Sequence, residues 1–268
     1  MFVFISMFIS VSVLYLIFLF AKQKESALQR KYSLLVDLRQ LLYLCRQHRQ
    51  ATHHSLMFGQ QRAAELQHLQ QQIEEKSEHL IATAHFDNKP MYRMLQIKLK
   101  ALTNEWSTWS VARNQMLHGK AIRHCLFLLD EVMLAWLVES NREDLSDEYH
   151  MNWQHVLDSM DALTQLRICI EEMHTEEGRS RLKHYCDAVR RKLNQLALIS
   201  PLSIASPTCS EAMRRLAEFH DSRTFDMEPE AFYQLTSEIS LSIADVYDQM
   251  LADLTESLYL PLPKLVLA

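Results

Sequence analysis

The chain has 268 residues with a net charge of −5, 48% hydrophobic residues, only three glycines and six prolines. This length suits one large or two small domains, and the scarcity of Gly and Pro predicts an all-α protein. The weak negative charge excludes a general nucleic-acid binder, which needs a basic face. The chain has no glycine-rich phosphate loop, GxSxG or HExxH motif, so we expect neither an enzyme nor a cofactor.

The first predicted element is a membrane anchor. Residues 1–21, "MFVFISMFISVSVLYLIFLFA", contain no charge, and ~20 apolar residues span a bilayer core. No basic segment precedes this run, in contrast to a cleaved signal peptide. The juxtamembrane segment 22–33 is basic, with Lys22, Lys24, Arg30 and Lys31. It places the N-terminus outside and the rest in the cytoplasm, which predicts a single-pass protein of the inner (cytoplasmic) membrane of a bacterium.

The next predicted elements are three helices. The first runs from Ser26 to about His85 with an interruption at Gly59, and an apolar stripe at Leu34, Leu38 and Leu41 marks its inner face. The second spans about 91–117, with its end assigned to Gly119. The third spans about 120–140 and is apolar enough for a central position.

Four further helices complete the predicted fold. We place them at about 146–174, 179–199, 209–223 and 229–258, with the last opened by Pro229. Long helices joined by short turns favour an elongated up-down bundle. The domain predicted for 34–258 is therefore helical throughout, and residues 259–268 form a tail.

One polar segment of the first helix suggests a binding site. Arg46 and Arg49 are three residues apart and share a face, with His48, Thr52 and Ser55 on a neighbouring strip. Guanidinium groups match planar oxyanions because two donors meet two oxygens. The alternative is an ordinary side of the helix that faces solvent.

A further arginine lies in an apolar context. Arg167 stands within "LTQLRICI", where a charge needs a partner. One interpretation pairs it with Glu171, four residues later; the other directs it to the same cavity as Arg46 and Arg49. Cys45 and the nearby histidines have no spacing typical of a metal site, so we predict no metal.

Several motifs together resemble the nitrate- and nitrite-sensing (NIT) domain family. "QHRQATHHSLMFG" is similar to its "Q-x-HRG-x-[ST]…L-x-G" signature. Downstream, the pair Trp106 and Trp109, "HGKAIRHCLFLLDEVMLAWLVES", "DLSDEYHMNWQHVLDSMDALTQLR" and "EPEAFYQLTSEISLSIADVYDQMLADLTESL" resemble later family segments in the same order. The resemblance covers about residues 34–258.

The resemblance implies two stacked four-helix bundles, with an anion held between helices by arginines. By position it assigns the ligand to Arg49, Arg46 and Arg167, beside Thr52 and His48. It also implies signalling to an output module, and the chain carries no segment recognisable as one. We therefore expect a report through a separate signalling protein or a homodimer.

Two functions follow as expectations. The first is a membrane-anchored sensory domain for a small oxyanion such as nitrate or nitrite. The second is a membrane-tethered helical scaffold or adaptor that has lost ligand binding. The second is favoured by Gln50, which stands where the family motif has glycine.

Overall fold

The structure is a computed structural model that describes residues 2–221, 227–258 and 261–263, and the side chains of all of these except 2–5, 202 and 203. These residues form α-helices and short 3-10 turns and contain no strand. The helices are α1 (Phe2–Phe58), α2 (Ala63–Thr83), α3 (Lys89–Glu105), α4 (Val111–Glu139), α5 (Ser146–Ile168), α6 (Glu176–Leu196), α7 (Pro201–Ile204), α8 (Pro207–Asp221) and α9 (Pro229–Ser257). The all-α prediction is confirmed. Of the predicted tail, only 261–263 lie within the described residues.

The long helices form two groups of four. Helices α1 to α4 pack together, as do α5, α6, α8 and α9. The groups join where α4 packs on α5 and where α9 reaches α1, for example through Arg39, whose Nε donates to Asp248 Oδ1 at 2.9 Å. Four helices, α1, α4, α5 and α9, therefore surround the middle of the molecule.

Helix α1 has two different halves. From Leu34 onward its apolar stripe is buried, with Leu35, Leu38 and Leu41 fully inaccessible. Its N-terminal part is exposed, and Phe8 and Phe20 present 75% and 69% of their surface. By length and composition α1 is able to cross a membrane. The helix ends at Gly59, whose φ of +66° is a left-handed conformation that favours glycine.

The predicted helix end at Gly119 is wrong. The chain breaks earlier, at a 3-10 turn over Trp106–Thr108, and Ser110 Oγ then caps α4 by accepting from Arg113 N at 3.3 Å. Gly119 lies inside α4 against α5, where an added Cβ would be 2.8 Å from Thr164 Cγ2. This glycine therefore permits the close approach of two helices and does not terminate one.

Candidate functional site

Three arginines lie in the middle of the molecule, where α1, α4, α5 and α9 surround them. Arg46 and Arg49 extend from α1, and Arg167 extends from the last turn of α5. Arg49 and Arg167 are 3% and 1% exposed. Arg46 is half-buried as a residue, but its Nε and Nη2 atoms are buried. We call these three residues the arginine cluster.

The alternative that this polar segment of α1 is an ordinary face exposed to solvent is therefore wrong. His48, Arg49 and Thr52 are all buried. The burial follows from the position of α1, which has α4 on one side and α9 on another.

Arg167 is held by α9. Its Nε donates to Thr236 Oγ1 and its Nη2 to the Thr236 carbonyl, both at 2.9 Å. Its guanidinium carbon is 5.4 Å from the centre of the Tyr233 ring, a cation–π arrangement. Pairing with Glu171 is not seen, because that carboxylate accepts from Ala112 N at the surface at 3.3 Å. The α9 contacts direct Arg167 towards the centre.

Arg49 makes a weaker contact with the same helix. Its Nη2 donates to Ser240 Oγ at 3.4 Å, close to the limit for a hydrogen bond. Two carboxylates on α9, Asp248 and Asp245, act on Arg46 through their charges and raise its pKa. Asp248, however, is held by Arg39 through both carboxylate oxygens, at 2.9 Å each. Among the described residues, no carboxylate forms an ion pair with the arginine cluster.

The cluster keeps several donors unpaired. Arg46 Nε and Nη2, Arg49 Nε and Arg167 Nη1 are buried and have no hydrogen-bond partner among the described residues. Burial, together with the charge of Arg49, lowers the pKa of Arg46 to about 10. Burial and then the neighbouring Arg49 charge lower the pKa of Arg167 well below its usual value. A negative charge placed between the arginines would offset both effects.

Thr52 contributes to the surroundings of the cluster through its hydroxyl. Its Oγ1 donates within α1 to the His48 carbonyl at 2.8 Å and accepts from Asn114 Nδ2 on α4 at 3.0 Å. Asn114 Oδ1 is left buried without a partner in the described part of the chain. Thr52 thus joins α1 to α4 and has no donor free for a ligand.

His48 forms a directed hydrogen-bond chain with α4. His118 Nδ1 lies 2.9 Å from the Asn114 carbonyl, which can only accept, so this nitrogen carries the proton. His118 Nε2 then accepts from His48 Nδ1 at 2.9 Å. The remaining His48 Nε2 is consequently an unprotonated acceptor, buried and without a partner in the described structure. Burial lowers the pKa of His48 to about 4, which keeps the pair neutral.

A second histidine packs on the tyrosine that faces Arg167. The His53 ring stacks on Tyr233 with ring centres 3.5 Å apart. Its Nδ1 accepts from Gln115 Nε2 at 3.0 Å, and this leaves Nε2 as a buried donor. Burial, followed by the charge of Arg167, lowers the pKa of His53 to about 3. His53 is therefore neutral and adds one more N–H at the edge of the cluster.

Surface clefts occur elsewhere on the protein. Five well-formed clefts on the described part of the chain have volumes of about 260–630 Å³, and these five are lined by residues other than Arg46, Arg49 and Arg167. Because Arg49 and Arg167 are almost fully buried, an anion reaches them only if side chains or helices move. In the same part of the chain, no three His, Cys, Asp or Glu side chains gather as metal ligands.

The partners on α4 and α9 were missed by reasoning from the sequence. Tyr233, Thr236 and Ser240 follow one another at spacings of three and four, which put them on one face of α9. Polar residues on the apolar face of a helix are a detectable signal. That signal identifies a polar core position, but it does not identify which arginine will meet it.

Comparisons with family models, with curated proteins and with solved structures find no match to this chain.

Proposed function

We propose that this chain is a membrane-anchored sensory domain that binds a small oxyanion, nitrate or nitrite, through Arg46, Arg49 and Arg167. The observation that carries the proposal is a buried group of three guanidiniums with unpaired donors and no ion-paired carboxylate in the described residues. Buried charges without partners are strongly unfavourable. A planar oxyanion supplies both the charge and the acceptor oxygens that these donors lack.

The same arrangement supports a signalling role. The arginines extend from α1 and α5 and repel one another, and Arg49 and Arg167 are almost fully buried. Binding therefore selects an arrangement of α1, α5 and α9 that differs from the free one. Arg46 and Arg49 share a continuous helix with the apolar segment, so α1 conveys the change towards the membrane, where a homodimer or a separate signalling protein receives it.

The location forms part of the proposal. The apolar segment of α1 spans the inner membrane once, with the N-terminus outside and the helical body in the cytoplasm. This orientation is supported by Lys22, Lys24, Arg30 and Lys31, which follow the segment directly.

The test is the melting temperature of the full chain in lipid nanodiscs, titrated with sodium nitrate or nitrite and with sodium chloride as the control. Preferential binding to the folded state adds RT ln(1 + [L]/Kd), about 2.7 kcal/mol at a hundredfold excess over Kd. We expect nitrate or nitrite to raise the melting temperature, and Arg49→Ala to abolish the rise. Arg113→Ala, at an exposed arginine, keeps it. Equal effects of all three anions at millimolar concentration contradict the proposal.

A tethered scaffold without a ligand is the second candidate. It is supported by the burial of Arg49 and Arg167, which closes them off from a ligand in solution, and by Gln50, which is bulkier than the glycine of the resembling motif. The two functions differ in the partners that the original chain and Arg49→Ala capture from membranes. For a scaffold, both chains capture the same partners with and without nitrate. For a sensor, nitrate changes the partners captured by the original chain, and Arg49→Ala loses this difference.

A further inference from the structure

A cleft between α3 and α4 lies outside the arginine cluster. Its volume is about 400 Å³, within the ~300–1,000 Å³ typical of small-molecule sites. The apolar part of its lining includes Leu102, Trp109, Leu117 and Phe127. Trp109 is 7% exposed and forms a floor, whereas Phe127 is 45% exposed and stands at the rim.

The rim of the cleft is basic. Lys98 lines it from α3, and Lys120 and Arg123 line it from α4. No Asp or Glu is among its lining residues. Lys120, Arg123 and Phe127 follow one another at spacings of three and four, so one face of α4 presents two cations beside an aromatic ring.

The three cations differ in whether an ion pair or a hydrogen bond holds them. Arg123 Nη1 pairs with Asp161 Oδ2 on α5 at 2.7 Å. Lys98 Nζ donates to His124 Nδ1 at 3.1 Å, and burial, followed by the charge of Lys98, lowers the pKa of this histidine. Lys120 is exposed and has no ion pair among the described residues. Lys98 and Lys120 are therefore the two rim cations without an ion pair among the described residues, and they favour an anionic ligand.

We propose that this cleft binds an amphipathic monoanion, a carboxylate that carries an aromatic or short aliphatic body. The apolar body covers Leu102, Trp109 and Leu117, and the carboxylate meets the ammonium groups of Lys98 and Lys120. Neither the carboxylate nor the apolar body is enough for binding by itself, because exposed ion pairs are weak and the apolar area of the cleft is small. The site is separate from the arginine cluster, since none of its lining residues is Arg46, Arg49 or Arg167.

The test uses equilibrium dialysis of radiolabelled benzoate against the full chain in lipid nanodiscs, with empty nanodiscs as the blank. We expect saturable binding that excess unlabelled benzoate displaces. Acetate, which has the charge without the ring, and benzyl alcohol, which has the ring without the charge, displace it poorly. Saturable binding that benzyl alcohol displaces as well as benzoate does overturns the proposal, as does the absence of saturable binding.

Charge reversal locates the site. Lys120→Glu should weaken benzoate binding about tenfold, because it replaces an attraction at the rim by a repulsion. Arg93→Glu, an equal charge reversal at an exposed residue of α3 outside the cleft, should leave it unchanged. Both positions are exposed, and melting temperatures confirm that the variants fold. Equal affinities of the two variants contradict the assignment to this cleft.

Discussion

At the scale of single residues, the centre of the protein holds side chains that destabilise it in the free state. Arg49 is buried, its Nη2 is at the long distance of 3.4 Å from Ser240 Oγ, and its Nε has no partner in the described structure. Arg167 is better satisfied, because Thr236 accepts from two of its nitrogens. Arg49 is therefore less well satisfied than Arg167, and its buried charge is unfavourable in the absence of a ligand.

Replacement of this charge by an apolar side chain is expected to stabilise the free protein. Arg49→Met keeps the length of the side chain and removes the repulsion with Arg46 and Arg167. We expect the free energy of unfolding without nitrate to rise by about 1–3 kcal/mol. Denaturant unfolding of the full chain in nanodiscs measures the change. A loss of stability of the same size contradicts the unpaired state of Arg49.

The neutral histidine pair predicts a loss of stability in acid. In the unfolded chain a histidine has an ordinary pKa of about 6.5, whereas burial lowers that of His48 to about 4. Above pH 6.5 the protein has its full free energy of unfolding, because His48 is neutral in both the folded and the unfolded chain. The free energy of unfolding decreases as the pH falls from 6.5 towards 4, because only the unfolded chain binds the proton readily. At pH 5, His48 alone should cost about 2 kcal/mol of unfolding free energy, at 1.36 kcal/mol per pKa unit.

His48→Gln tests this prediction, and His174→Gln, at an exposed position, is the control. Melting temperatures between pH 7 and pH 5 should fall less steeply for His48→Gln than for the original chain. His174→Gln should follow the original curve. If His48→Gln does so as well, His48 is not the source of the acid sensitivity.

At the scale of elements, the contact of α4 with α5 depends on Gly119. Glycine inside a helix is less favourable than alanine by about 1 kcal/mol, yet a Cβ at this position would meet Thr164 Cγ2 at 2.8 Å. The Thr164 Cβ atom itself is 3.5 Å away, an ordinary contact distance. The obstacle to alanine is therefore the branched part of one threonine.

A double-mutant cycle tests this contact. Gly119→Ala in a Thr164→Ala background should stabilise the protein by about 1 kcal/mol, the intrinsic helix preference. In the original background the same change should give no gain or a loss. Denaturant unfolding of the four chains yields the coupling energy. Additive effects contradict a steric role for Thr164.

At the scale of the whole molecule, α1 unites the exposed apolar segment and the buried polar site. Residues 6–26 are exposed except for the half-buried Ser12, and from Leu34 onward the apolar stripe of α1 belongs to the core. The proposed orientation sets the helical body on the cytoplasmic side of a membrane. A chemical label that cannot cross membranes distinguishes the two sides.

The labelling experiment benefits from the native cysteines, all five of which are buried. A cysteine tag added before Met1 should react with an impermeant maleimide on intact cells. Glu105→Cys, at an exposed position of the body, should react only after permeabilisation. The reverse pattern contradicts the orientation.

The local elements were largely predictable because helix formation depends on nearby residues. Composition and apolar spacing indicated the helical class, the apolar segment and the start of the last helix at Pro229. The boundary assigned to Gly119 was wrong, since a glycine that ends a helix and one that admits a neighbouring helix look alike in sequence. Arg46 and Arg49 were singled out from the sequence as one face of a polar segment, and Arg167 as a charge in apolar surroundings.

Their environment was decided only by the tertiary structure. The partners of Arg167 lie on α9, 69 residues away, and the partner of His48 lies on α4, 70 residues away. Spacing along one helix shows which side chains share a face, but it contains no information about which helix that face meets. The helical character of this protein is thus determined locally, whereas the unpaired charge at its centre results from the packing of α1, α4, α5 and α9.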